Sequence, residues 1–293
     1  MNGRAWALCV AGLVGGCSGS AGGADAGARG DTGMADAGAG ADVGAGQDAG
    51  AGQDVGAGGD AGAGGDAGAS QLTGTIVPLY TDPSDATWTE IRTAAGAHPS
   101  VRIVAIINPS DGPTATRDPA YASGITALRA AGVVVIGYVA TGYGARATSA
   151  VNADVDLYLA QYPDLDGIFF DEAAIYETGH ETTYTEESTH ARAAGYGLLV
   201  ANPGTTPDAA YDGLFDVAMV YETDGAPAES ALARFASQRE RCAIIPYAVA
   251  SLDAAYVASI RPDVAYVYLT DDDLPNPWDT LPSYFDALLA ALE

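Results

Sequence analysis

The chain has no lysine: all 12 of its cationic side chains are arginine, against 38 acidic ones in 293 residues. Without a primary amine there can be no Schiff-base aldolase, no covalently held pyridoxal phosphate and no phosphate-loop lysine. Histidine is nearly as scarce. His98, His180 and His190 are the only three, and none falls in an H-x-H or H-E-x-x-H pattern, which argues against a metal-dependent hydrolase and against a Ser-His-Asp enzyme. Of the three cysteines, Cys9 and Cys17 lie in the leader, so no internal disulfide is available to the folded part. Cys242 opens the apolar run 242–246, where a small thiol packs well, and is expected in the core. A net charge of −26 repels phosphate, so nucleic acid and anionic lipid are poor partners and cationic or neutral polar ligands fit better. The same surplus also keeps an exported protein soluble.

The first 70 residues are too poor in bulky apolar side chains to join a core. Arg4 followed by the apolar stretch 5–14 reads as a signal peptide over residues 1–17, too short for a permanent membrane span. Leu13-Val14-Gly15-Gly16-Cys17 resembles a bacterial lipobox, which makes Cys17 the expected lipidation site; plain secretion is the alternative. Residues 18–70 are rich in Gly and Ala, with Asp returning about every sixth position from Asp25 to Asp66. Such a segment predicts a flexible, solvated linker. The expected protein is exported, at the cell surface or outer membrane as a lipoprotein, or else secreted or periplasmic.

Residues 71–293 alternate apolar runs of strand length with helix-period segments. Strands are predicted at 75–80, 101–108, 133–140, 167–172, 197–202, 215–222, 242–249 and 264–270. Each is continuously apolar, as strands buried on both faces are. Helices are predicted at 118–131, 149–162, 184–194, 228–241 and 280–292, stopped by Gly or Pro. Eight β-α units without a G-x-G-x-x-G after the first strand predict a single-domain (β/α)8 barrel. Its functional residues then sit at the C-terminal strand ends.

Those ends are acidic and aromatic. Gly167-Ile168-Phe169-Phe170 runs straight into Asp171 and Glu172, and Val217-Ala218-Met219-Val220-Tyr221 into Glu222. Two carboxylates across a pocket are the minimum equipment for glycoside hydrolysis, one ionised and one protonated. Asp171 is the candidate nucleophile and Glu222 the candidate acid/base. Glu172 points the other way if the strand stays regular, and is assigned to tuning charge and holding the sugar. Tyr80, Tyr138, Tyr143 and Tyr247 offer ring faces for sugar C–H groups, or else pack at the barrel rim. Asn108 and Asn202, each before a proline, either orient a carboxylate or hydroxyl or form Asx turns. Asp271, heading the run 271–273, either lines a cationic subsite or lies in a solvated loop. His180 and His190 are expected to be exposed. No metal or cofactor is called for.

Val77-Pro78-Leu79-Tyr80 with Pro83, Ile107-Asn108-Pro109, Gly137-Tyr138-Val139 with Thr141, Tyr143-Gly144 and Arg146, and then 167–172, together resemble the spherulin-4-like proteins. That family includes glycoside hydrolase family 135. The resemblance covers Thr75 to the C-terminus and places the family's acidic pair on Asp171 and Glu172 and its later glutamate on Glu222. It implies a hydrolase of an amino-sugar exopolysaccharide of the α-1,4-N-acetylgalactosamine or galactosamine type; an endo-acting monomer is expected, and the two strand ends, one strand apart, suit the roughly 5 Å separation of a retaining enzyme. A non-catalytic glycan-binding or envelope protein of the same fold is the alternative. One departure is visible: after Asn108-Pro109, the stretch Ser110-Asp111-Gly112-Pro113-Thr114 keeps Gly-Pro but lacks a further glycine. An acidic cleft would suit a partly deacetylated, cationic polymer.

Overall fold

The computed structural model describes residues 73–293. The signal peptide, Cys17 and the linker predicted at 18–70 lie outside the described residues.

The eight apolar runs become eight parallel strands, hydrogen-bonded in chain order and closed into a barrel. They are β1 (Gly74–Leu79), β2 (Arg102–Ile107), β3 (Val134–Ala140), β4 (Gly167–Asp171), β5 (Leu198–Ala201), β6 (Val217–Tyr221), β7 (Cys242–Ile244) and β8 (Tyr266–Val267). Closure is made where Gly74 of β1 meets Tyr266 of β8. The helices are α1 (Ala86–Ala97), α2 (Pro119–Ala130), α3 (Thr148–Gln161), α4 (Glu181–Ala193), α5 (Glu229–Leu232), α6 (Ala254–Ile260) and α7 (Phe285–Leu292). The strands are mostly apolar because one face fills the barrel and the other lies under the helices, so no strand position is fully exposed to water. All six residues of β1 are buried, as are the first four of β4.

Much of the acid surplus is structural. Asp85, Asp118 and Asp253 accept backbone N–H groups at the starts of α1, α2 and α6, where carboxylates satisfy donors that have no partner within the helix. At the opposite end of the barrel, Asp166 accepts the Val135 N–H at 2.8 Å and pairs with Arg129, while Asp216 accepts the Leu199 N–H at 2.7 Å and pairs with Arg192. Gly167 must be glycine, since a Cβ there would sit on the carbonyl oxygen of Leu198.

Some predicted elements are shorter. The segment 228–241, expected as one helix, is the single turn α5 followed by 3-10 turns over Ala233–Arg241, broken at Gln238 with φ −124°. Arg239 is turned inward, 5% exposed, and bonds the Arg261 carbonyl and Thr73, so tertiary partners outweigh a regular ladder. The predicted strands 242–249 and 264–270 pair only over their first few residues, because Pro246 lacks an N–H and the β6–β7 register shifts between Met219 and Tyr221. The last helix starts at Phe285 rather than 280, because Ser283 is anchored to Asp271. Cys242 is buried, as expected of core, and burial pushes its thiol up to about 11.

Candidate active site

The centre of the barrel mouth is a bridge. Asn202, immediately after β5, donates from its one side-chain nitrogen to Asp171 Oδ1 at 2.8 Å and to Glu222 Oε2 at 2.6 Å. Its Oδ1 accepts the Gly204 N–H at 2.9 Å, so the turn-forming and carboxylate-orienting roles are filled at once. The two acids therefore come from strands β4 and β6, two apart, and meet across β5. Two oxygens held on one planar amide nitrogen at those bond lengths lie about 4.7 Å apart.

The two carboxyl groups are held differently. Burial is the main cause raising both above the ordinary carboxylate range. Against it, the Tyr138 hydroxyl, the Glu172 backbone N–H and Asn202 all favour the charged form of Asp171, Asn202 through its 2.8 Å bond. Glu222 has Asn202 alone, feels the Asp171 charge, and is pushed up to about 7. Hydrogen bonds to the charged form favour ionisation, so the proton belongs on Glu222 and the charge on Asp171.

Glu172 leaves this bridge. The strand ends at Asp171, and Glu172 takes a left-handed φ of 53°, with the Gly142 N–H favouring the charge of its carboxylate. Its carbonyl accepts the Tyr143 N–H and the Thr141 hydroxyl, each at 2.7 Å. Burial, then the charges of Asp171 and Asp111, raise its carboxyl above the usual range. The loop after β3 is thereby wrapped around Glu172. Tyr143, also left-handed at φ 54°, is 44% exposed at the rim; burial, then the nearby carboxylates, push its hydroxyl up to about 12.

Tyr80 and Tyr138 form the floor with their rings edge to face at 5.7 Å, and Tyr138 continues onto Phe169 at 5.9 Å. Tyr247 is buried, its ring edge-on to Trp278 at 6.3 Å, and burial followed by Asp224 and Glu222 raises its hydroxyl. Asn108 is buried; its Oδ1 accepts the Gly112 N–H at 2.8 Å, closing a turn. Asp271 is not brought to the bridge. Both of its oxygens bond Ser283, backbone and side chain, and these bonds hold its carboxyl below the usual range, so it fixes the entry to α7. His180 and His190 are half-buried rather than exposed: His180 packs under Gly144 and against Tyr184, and His190 pairs with Asp156 at 2.8 Å.

Sequence reasoning passed over two residues here. Thr141 ties β3 to the backbone of both Asp171 and Glu172, and Asp111 adds its charge to Asp171, Glu172, Tyr80 and Tyr138. Asp111 lies three positions past Asn108, close enough to a strand end to have been a candidate. Among the described residues, no group of three or more His, Cys, Asp or Glu side chains is placed to hold a metal ion.

Residues 74–292 match the family described as Spherulation-specific family 4. Spherulin-4 of Physarum polycephalum is 41% identical over 152 residues, a stretch that takes in 51% of this chain and 45% of that protein. Among solved structures, Sph3 of Aspergillus clavatus, crystallised in complex with GalNAc, superposes with a TM-score of 0.67 at 23% identity, covering 76% of this chain and 98% of that one. That likeness is one of fold.

Proposed function

Because the chain belongs to the Spherulation-specific family 4 and shares its fold with Sph3, a protein solved holding GalNAc, we propose that it is a glycoside hydrolase cutting within an amino-sugar polysaccharide, with Asp171 and Glu222 as its two working carboxylates. The observation that carries this reading is the Asn202 bridge, which sets a carboxylate whose charge is favoured by three neighbours beside one favoured by Asn202 alone. Glycosidases need this division, one group charged to meet the anomeric carbon and one protonated to release the leaving oxygen.

In the first step Asp171 Oδ attacks the anomeric carbon as the glycosidic C–O bond breaks, and the Glu222 proton passes to the departing oxygen. A glycosyl ester on Asp171 results. Glu222, now a carboxylate, takes a proton from water as that water attacks the same carbon, and the ester C–O bond breaks to free Asp171. The separation of about 4.7 Å implied by a shared amide nitrogen falls near the roughly 5 Å of retaining enzymes and below the 6.5 Å or more that an interposed water needs, which supports retention. Tyr138 and Asn202 keep Asp171 charged and aimed. Glu172 and Tyr143, on the rim, are placed to hold the sugar. The α-1,4-galactosamine type of polymer, a monomeric state and anchoring at the cell surface through Cys17 complete the proposal.

The test is a digest of defined α-1,4-linked N-acetylgalactosamine and galactosamine oligosaccharides followed by mass spectrometry, with Asp171→Asn and Glu222→Gln alongside. Internal cleavage by the wild type alone is expected; intact oligomers in all three samples refute the hydrolase reading.

A further inference from the structure

The acids of the barrel mouth have almost no cationic counterpart. Arg146 is the arginine that acts on Glu172, and its guanidinium is already committed to Asp154 at 2.8 Å and to the Ala140 carbonyl. Beyond the two bridged acids and Glu172, the charge of Asp111 reaches Tyr80, Tyr138, Asp171 and Glu172. Asp111 is exposed, makes no hydrogen bond or ion pair among the described residues, and is presented in a left-handed conformation at φ 56°. The turn presenting it is closed by Ser110 N–H to the Gly112 carbonyl at 3.1 Å and by Gly112 N–H to Asn108 Oδ1.

Asn108 supplies the second observation. It is 5% exposed, and its Nδ2 is a buried donor with no partner. Leaving such a group unpaired is costly, so a position of this kind is one where a ligand is expected. Its direction follows from register. Ile107 pairs with Leu79 on one side and Gly137 on the other, so Asn108 stands level with Tyr80 and Tyr138. Residues level with one another in a parallel sheet project to the same side, and Tyr138, which meets Tyr80 edge to face and favours the charge on Asp171, faces the mouth. Asn108 therefore lies on the mouth side of β2, beneath the turn that carries Asp111.

We infer that Asn108 and Asp111 form a subsite for a positively charged hexosamine, one whose amine is free rather than acetylated, with Asp111 receiving the ammonium and Asn108 Nδ2 donating to the adjacent hydroxyl. This deepens the glycosidase proposal, on which it rests for the identity of the mouth as a saccharide site. A 2-amino-2-deoxyhexose offers both groups on neighbouring carbons. An N-acetylated ring offers no charge to Asp111.

Binding in the Glu222→Gln background tests it separately from cleavage. Isothermal titration would compare fully N-acetylated and fully de-N-acetylated α-1,4-galactosamine pentasaccharides at low and high salt, with and without Asp111→Asn. Asn tolerates a left-handed φ, so the turn survives the change. The expected result is a preference for the charged oligomer of about twofold to fivefold at low salt, the scale of one exposed ion pair, shrinking at high salt and lost with Asp111→Asn while acetylated binding stays unchanged within error. A preference that survives Asp111→Asn, or no preference at all, overturns the inference. Charge-selective binding through Asp111 with no cleavage by the wild type would refute the hydrolase reading and leave this one standing. Cleavage of both oligomers at rates indifferent to Asp111→Asn would do the reverse.

Discussion

Glu222→Gln should stabilise the protein while disabling it, and the gain should grow as pH rises from about 4.5 through about 7 and then level off. Glutamine keeps the shape and can still accept the Asn202 bond, so the perturbation is the loss of a titrating charge. In the folded state the Glu222 carboxyl is pushed up to about 7 from an ordinary 4.5, first by burial and then by the Asp171 charge. An acid whose pKa is raised on folding contributes stability that is fully present below its unfolded value and is lost as pH rises through its folded value. At about 1.4 kcal/mol per unit, the wild type should lose up to about 3 kcal/mol relative to the variant between pH 4.5 and pH 8. This is an upper figure, because Glu222 is only partly shielded from solvent and shares its proton equilibrium with Asp171. For a domain of this size it corresponds to roughly 6 to 10 °C in Tm. Thermal melts of both proteins at half-unit steps from pH 4 to pH 8.5 measure it. A gap that does not grow with pH, or a variant less stable at pH 8, would refute the claim that Glu222 is strained by its own charge. The same variant should lose about a hundredfold to ten-thousandfold in turnover.

On an uncharged N-acetylated oligomer at constant ionic strength, kcat/KM should fall about tenfold per pH unit above roughly 7, as Glu222 loses the proton it must donate. A profile flat to pH 9 would remove Glu222 as the acid. Asn202→Ala takes a donor from each carboxyl, so turnover should fall about a hundredfold through lost alignment. Its alkaline limb should also move to higher pH, because the bond that lowered the Glu222 pKa is gone; a limb moving down in a pH-rate series would contradict this. At the far side of the barrel His98 bonds Asp286 and Glu293, each at 3.1 Å, and these bonds raise its pKa although burial, the largest influence, opposes them. A raised histidine stabilises below its unfolded value near 6.5 and loses that contribution as pH rises through its folded value. His98→Gln should therefore cost about 1 kcal/mol at pH 5.5, modest because both acids are open to solvent, and less at pH 9. Urea melts at the two pH values decide it, and an equal cost at both would assign His98 a packing role only.

The barrel and the candidate acids were legible in the residues alone. Eight strands buried on both faces leave an uninterrupted apolar signal, and a parallel sheet of that kind puts its functional side chains at one end, so Asp171 and Glu222 could be singled out from position alone. The helices α2, α3 and α4 were legible within a few residues because their stops are local chemistry. The segment 228–241 was not, because Arg239 takes its partners from the loop after α6 and from Thr73, far away in the chain. Nor could the sequence say how the acids divide. Asp171 and Glu172 are neighbours in the chain, yet one turns into the Asn202 bridge and the other out to Gly142, while Glu222 joins from two strands away. Asp271, left open between a cationic subsite and a solvated loop, bonds Ser283 and lies away from the bridge. Protonation, aim and partnership depend on how many donors converge on a carboxylate and how much water remains beside it, and those quantities exist only once the barrel has closed.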